Sequence, residues 1–152
     1  MSLRENITEK LKAAMRAKDE LTVSTLRLVN AAIKDKDISV RTETNREGIN
    51  DEQILSLFQT MIKQRHESVK MYNQGGRPEL ADRETAEIKI IESFMPKQLS
   101  DDEIKAVVES AIAAVSAASV KDMGKVMAEL KAKYTGQLDF AKAGGMVKAA
   151  LA

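Results

Sequence analysis

The stretch from Phe94 to Glu103 (FMPKQLSDDE) ends one helix and begins another, and it decides how the rest of the chain can be arranged. Pro96 has no backbone N–H to donate and pushes Met95 out of α geometry, so the helix carrying Ile88, Ile91 and Phe94 is expected to run to Met95 and stop. Ser100 then restarts the chain: its hydroxyl suits an N-cap, Glu103 completes a capping box, and Asp101 and Asp102 suit the positive end of a helix. The sequence therefore predicts two helical parts, residues 1–95 and 96–152.

On either side of this junction the apolar residues recur with a helical period. Leu3, Ile7, Leu11 and Ala14 predict a first helix from about Ser2 to Asp19. A second carries Leu21, Leu26, Leu28, Val29, Ala32 and Ile33 in a broad stripe that ends near Ile38. Ser39–Asn50 (SVRTETNREGIN) is polar and aperiodic and reads as a mobile loop. Asn50 or Asp51 caps a third helix with Ile54, Leu57, Phe58, Met61, Ile62, Val69 and Tyr72 inward, which Gly75-Gly76 ends. Pro78 opens a fourth, burying Leu80, Ala81, Ile88, Ile91 and Phe94.

Beyond Pro96, Ile104, Val107, Val108, Ala111, Ile112 and Val115 predict a fifth helix ending near Ala118. Ser119-Val120-Lys121-Asp122 reads as the start of a sixth, with Met123, Val126, Met127, Leu130 and Tyr134 on one face and Gly136 as its stop. Asp139 caps a seventh holding Phe140, Ala143, Val147 and Leu151 inward. The fold class is thus all-α: an N-terminal bundle of about four helices and a smaller C-terminal domain of three.

Composition narrows the function. The chain has 152 residues and no cysteine, which excludes disulfides and thiolate metal sites; nothing asks for an oxidising compartment, so the cytoplasm is the default expectation. The first residues, Met1–Lys12, are charged throughout and do not resemble a secretory signal. Ala106–Val120 falls short of the ~20 apolar residues of a membrane span, so no membrane partner is expected. Net charge is only +1, too little for a whole-molecule attraction to nucleic acid. The charge is unevenly placed, however. Up to Pro96, 16 basic residues balance 16 acidic ones, whereas from Lys121 onward six lysines face only Asp122, Glu129 and Asp139.

Candidate chemistry is sparse. His66 is the only histidine, and it shares a helix face with Lys63 and Lys70; a solvated face explains the three as well as a phosphate-binding stripe does. Asp35 and Asp37 bracket Lys36, a pattern that fits a helix end better than a metal site. Glu84 and Glu87 stand one turn apart with Glu92 further on. Paired carboxylates can carry acid–base work when one is desolvated, but no nucleophile or histidine accompanies them, and ion pairing with Arg65, Arg77 or Arg83 accounts for them. No G-x-x-x-x-G-K-[ST] loop, strand-borne G-x-G-x-x-G or metal-ligand cluster is present. No catalytic residue, cofactor or metal is expected.

Several short motifs fall in a telling order: Leu26-Arg27 through Ala31-Ala32-Ile33-Lys34, Lys63-Gln64-Arg65-His66-Glu67-Ser68, Gly76-Arg77-Pro78-Glu79-Leu80-Ala81, Glu84 with Glu87, Pro96-Lys97-Gln98-Leu99-Ser100, and Met123-Gly124-Lys125-Val126-Met127. Together they resemble the YqeY proteins of the GatB/YqeY group over nearly the whole chain. The resemblance implies an all-helical protein whose C-terminal part is similar to the tail domain of the GatB subunit of the glutamine-dependent aminoacyl-tRNA amidotransferase. In that enzyme the tail touches tRNA while activation and ammonia release occur elsewhere.

The expected role is therefore a non-catalytic module associated with tRNA or another RNA, near aminoacyl-tRNA amidation or translation. Its contact residues are expected to be Lys121, Gly124, Lys125, Lys131, Lys133, Lys142 and Lys148, where the motif and the charge asymmetry coincide. Two alternatives stand beside it: a protein–protein adaptor that uses no RNA, and a carbon–nitrogen ligase with glutamine as amido donor, as kinship would imply.

Overall fold

A computed structural model of the chain describes residues 2–44 and 46–152; all of the described structure is helix, turn or loop, with no strand among these residues. The helices are α1 (Leu3–Ala17), α2 (Glu20–Ser39), α3 (Asp51–Gln74), α4 (Pro78–Glu92), α5 (Asp101–Ala114), α6 (Met123–Tyr134) and α7 (Phe140–Leu151), with a 3-10 turn over Val120–Asp122 leading into α6. The fold class is all-α, and the chain divides into two compact units, Met1–Met95 and Pro96–Ala152.

In the first unit the apolar stripes of four helices close on one core of Ile7, Leu26, Val29, Ile33, Ile54, Phe58, Met61 and Ile91. Burying side chains of this size is worth about 1.5–3 kcal/mol each, which is what holds α1 to α4 together. The Phe94 ring packs tilted against Phe58, centroids 6.4 Å apart, and the Lys10 ammonium stands 5.2 Å above it. Serine, aspartate and asparagine start three of the helices: Ser2, Asp19 and Asn50 each accept from a backbone amide of the first turn.

Several boundaries differ from those the sequence predicts. α4 ends at Glu92, not Met95. The chain tightens before proline can act: Phe94 N–H bonds to Ile91 and Met95 N–H to Glu92, three residues back, while the Ser93 hydroxyl donates to the Ile90 carbonyl. Leu28 and Ile38 are about half exposed, so the stripe of α2 is narrower than expected and is completed by Thr22, whose hydroxyl donates to the carboxylate of the N-cap Asp19, and Thr25, whose hydroxyl donates to the Leu21 carbonyl. The loop after α2 is anchored at its far end, because Ile49 is buried in the core; Asn45, within that loop, lies outside the described residues.

The second unit has its own core: Ile104, Val108 and Ala111 of α5, Val126 and Leu130 of α6, Leu138 before α7, and Ala143 and Val147 of α7. Ser100 and Glu103 form the expected capping box. α5 stops at Ala114, short of Ala118, because Ser116 takes a left-handed conformation (φ 53°) and Ala117 N–H folds back to the Ile112 carbonyl. Just before the unit's first helix, Leu99 N–H donates to the Gln137 carbonyl at 2.9 Å, and the Gln98 side-chain amide donates to the Gly136 carbonyl.

Candidate nucleic-acid interface

α6 is two-sided, and its sidedness follows from its sequence. Met123, Val126, Met127, Leu130 and Tyr134 fall three and four residues apart and turn into the core of the second unit. Gly144 of α7 lies beneath this stripe: a Cβ there would stand 3.6 Å from Met123 Cε and 3.9 Å from Met127 Cε, ordinary contact distances, so both methionines reach α7 at this point. What remains for the outward side is Lys121 from the 3-10 turn, then Gly124, Lys125, Ala128, Lys131 and Ala132, all exposed. Gly124 has ordinary helical geometry with nothing within 4 Å of where a Cβ would be. The fold does not require glycine there, and an alanine would serve the helix better by about 1 kcal/mol.

The predicted lysines divide by their partners. Lys133 is paired with Glu129 at 2.6 Å, one turn back on the same helix, and Lys142 with Asp101 of α5 at 2.7 Å. In both cases the hydrogen bond to the carboxylate holds the ammonium pKa above its ordinary value. Lys121, Lys125, Lys131 and Lys148 are exposed and form no ion pair among the described residues. Asp122 stands beside Lys121 in the 3-10 turn. Its Oδ2 accepts from the amides of Ala118 (2.9 Å) and Ser119 (3.3 Å), which lower its pKa, with Lys125 adding a smaller effect.

The structure therefore leaves Lys121, Gly124 and Lys125 on the outward arc of α6, with Lys131 at one edge of it. Lys133 flanks that side with its charge already answered, Lys142 ties the first turn of α7 to α5, and Lys148 stands on α7 itself.

His66, Lys63 and Lys70 lie exposed on α3. Asp37 does not reach for a metal: Arg4 holds it through both oxygens, and no group of three or more metal-ligating side chains occurs among the described residues. Glu87 is buried and answers two guanidinium groups, Arg65 Nε at 3.2 Å and Arg83 Nε at 3.6 Å; Glu84 lies 3.9 Å from Arg65. Arg77 pairs with Glu79 instead. Burial, and then the neighbouring Glu87 charge, push the Glu84 carboxyl above its usual range. The sequence pointed to these arginine partners, but not to the burial of Glu87, which needs the packing of α3 on α4.

Set against known proteins, residues 4–151 match the family described as Yqey-like protein. Among curated relatives, the chain is similar to Altered inheritance of mitochondria protein 41, mitochondrial, of Lachancea thermotolerans, with 31% identity over 90 residues, 59% of this chain and 46% of that protein. The same-named protein of Kluyveromyces lactis is 32% identical over 88 residues, 58% of this chain and 45% of that protein. That of Saccharomyces cerevisiae (strain YJM789) is 29% identical over 85 residues, 56% of this chain and 44% of that protein. The matched stretch thus spans less than half the length of each relative. The expectation of a cytoplasmic location is corrected here, since these relatives are named as mitochondrial. The physical ground for that expectation was only the lack of cysteine, which excludes disulfides without selecting among compartments.

Proposed function

The chain belongs to the YqeY-like family, and on that footing we propose that it is a non-catalytic RNA-associated module that holds tRNA or a similar RNA through the outward side of α6. One observation carries this reading: Lys121, Lys125 and Lys131 stand exposed around the outward arc of α6 with no acidic side chain paired to them, while Lys133 and Lys142 are paired with carboxylates. Three unanswered ammonium groups around an open Gly124 present positive charge with little side-chain bulk between them, the arrangement that suits a sugar-phosphate backbone. The kinship of the family to the amidotransferase tail points the same way.

A mobility shift with tRNA at low salt tests it. Changing Lys121, Lys125 and Lys131 together to Glu should abolish retention, with helicity unchanged by circular dichroism. Changing Lys133 and Lys142, which already face carboxylates, should weaken retention far less. Undiminished retention by the triple variant overturns the reading.

The adaptor reading rests on a different observation, the half-exposed Leu28 and Ile38 of α2 and the 70% exposed Met71 of α3. It gains if tRNA is not retained by the unaltered chain and these side chains prove to be covered by a protein partner.

A further inference from the structure

The second unit is as informative in the side chains it withholds from solvent as in those it presents. Its aromatic residues are Tyr134 and Phe140, and both pack against the apolar core of the unit. From Pro96 to Ala152 the chain contains no arginine. Of its two glutamines, Gln98 already donates its side-chain amide to the carbonyls of Pro96 and Gly136. The usual means of reading bases are therefore missing from the α6 surface: no ring to stack on a splayed base, no guanidinium fork for guanine and no asparagine for adenine, while the remaining glutamine, Gln137, is half-buried beyond the end of the helix.

What α6 does offer is charge at fixed intervals. Lys121 and Lys125 are separated by about 6 Å along the helix axis and Lys125 and Lys131 by about 9 Å. The surface between them is Gly124, Ala128 and Ala132, so no longer side chain stands between the ammonium groups. Single strands are held by combining backbone charge with stacking, and a surface without stacking groups forgoes half of that combination. A base-paired segment keeps its bases inside and displays phosphates in a regular array that lysines alone can engage.

We propose that the α6 face of Lys121, Lys125 and Lys131 takes base-paired RNA by its phosphate backbone, without regard to sequence, and discriminates against single strands. This rests on the RNA reading above and narrows it to one form of RNA.

The test is a fluorescence titration of the full chain with a short RNA duplex, a duplex of shuffled sequence, and oligo-uridylate of equal length, repeated over a range of salt. Both duplexes should bind equally, and measurably tighter than oligo-uridylate, whose lower charge density releases fewer counterions per phosphate contact. The logarithm of the duplex affinity should fall with the logarithm of salt at a slope of about 2–3, as three phosphate contacts require. The slope should collapse in a K121Q/K125Q/K131Q variant whose helicity is intact. Oligo-uridylate bound as tightly as duplex, a difference between the two duplexes, or a slope unchanged in the variant overturns the proposal while leaving RNA association standing. No binding of any of the three RNAs overturns both.

Discussion

The Arg4 guanidinium grips the Asp37 carboxylate with two parallel hydrogen bonds, Nη1 to Oδ2 at 2.9 Å and Nη2 to Oδ1 at 2.7 Å. The same Nη2 donates to the Ile49 carbonyl at 2.9 Å, and Asp37 Oδ1 accepts the Ile49 N–H at 2.8 Å. A side chain from α1 and one from α2 thereby fix the residue that re-enters the core after the loop. The bond to Arg4 above all, helped by the Ile49 amide, holds the Asp37 carboxyl below its usual range against the opposing effect of burial.

Gly48 makes room for this clasp. It has φ +84°, and a Cβ there would come within 2.4 Å of Asp37 Oδ1 and 2.7 Å of its Cγ. Gly48→Ala should destabilise the first unit by about 1–3 kcal/mol, combining left-handed strain with displacement of the carboxylate. Thermal unfolding followed by circular dichroism measures the loss, and the Ile49 amide should exchange with solvent faster in the variant. Unchanged Ile49 protection would show that the clasp tolerates the added methyl.

Between α3 and α4 the two carboxylates should respond in opposite ways to losing their charge. Glu84 has a raised pKa, so the folded state binds its proton more tightly than the unfolded state does. The stability that protonation gives is whole below the unfolded value of about 4.3 and is lost as pH rises through the higher folded value. Glu84→Gln should therefore raise the melting temperature modestly at neutral pH, by under about 1 kcal/mol in free energy, with the advantage closing below about pH 4. Glu87→Gln should instead cost about 1–3 kcal/mol, because it removes the charge that answers Arg65. Melting curves of both variants across pH decide it: equal effects would mean that the two carboxylates share one environment.

Ser116 adopts φ 53°, a conformation that costs a residue with a Cβ about 1–2 kcal/mol and costs glycine nothing. Its side chain is exposed. Ser116→Gly should therefore stabilise the second unit by about 0.5–1 kcal/mol, net of the greater freedom of glycine in the unfolded chain, and raise its melting temperature by a few degrees. A lower melting temperature would show that the serine side chain does something at that turn beyond occupying it.

These turns mark the limit of what the sequence discloses. Helix starts were legible because they depend on local chemistry: Ser2, Asn50 and Ser100 each accept from an amide three residues on, as their positions require. Inward faces were legible for the same reason, since Ile54, Phe58 and Met61, or Val126 and Leu130, repeat with the helix. Helix ends were less so. Ser116 closes α5 without the glycine that normally announces such a turn, and α4 unwinds at Ser93 through bonds three residues back rather than at Pro96. Ile49 was hidden inside a polar stretch because its burial depends on Arg4 and Asp37, which stand 45 and 12 residues away. Among the lysines, exposure was readable from spacing. Pairing was readable in principle for Lys133, whose Glu129 stands one turn away, but not for Lys142, whose partner Asp101 is 41 residues distant.

The Arg4–Asp37–Ile49 clasp also bears on how this family can vary. With the end of α2 and Ile49 both held, the residues between them form a closed loop whose two ends are set by other parts of the bundle. Lengthening such a loop costs only about 0.6 kcal/mol per doubling. Insertions between Val40 and Glu47 should thus be absorbed without disturbing the core, whereas a single deletion reaching Gly48 or Ile49 would undo it. Evolution, or an engineer placing a tag, has here a socket whose rim is fixed by Arg4, Asp37 and Ile49.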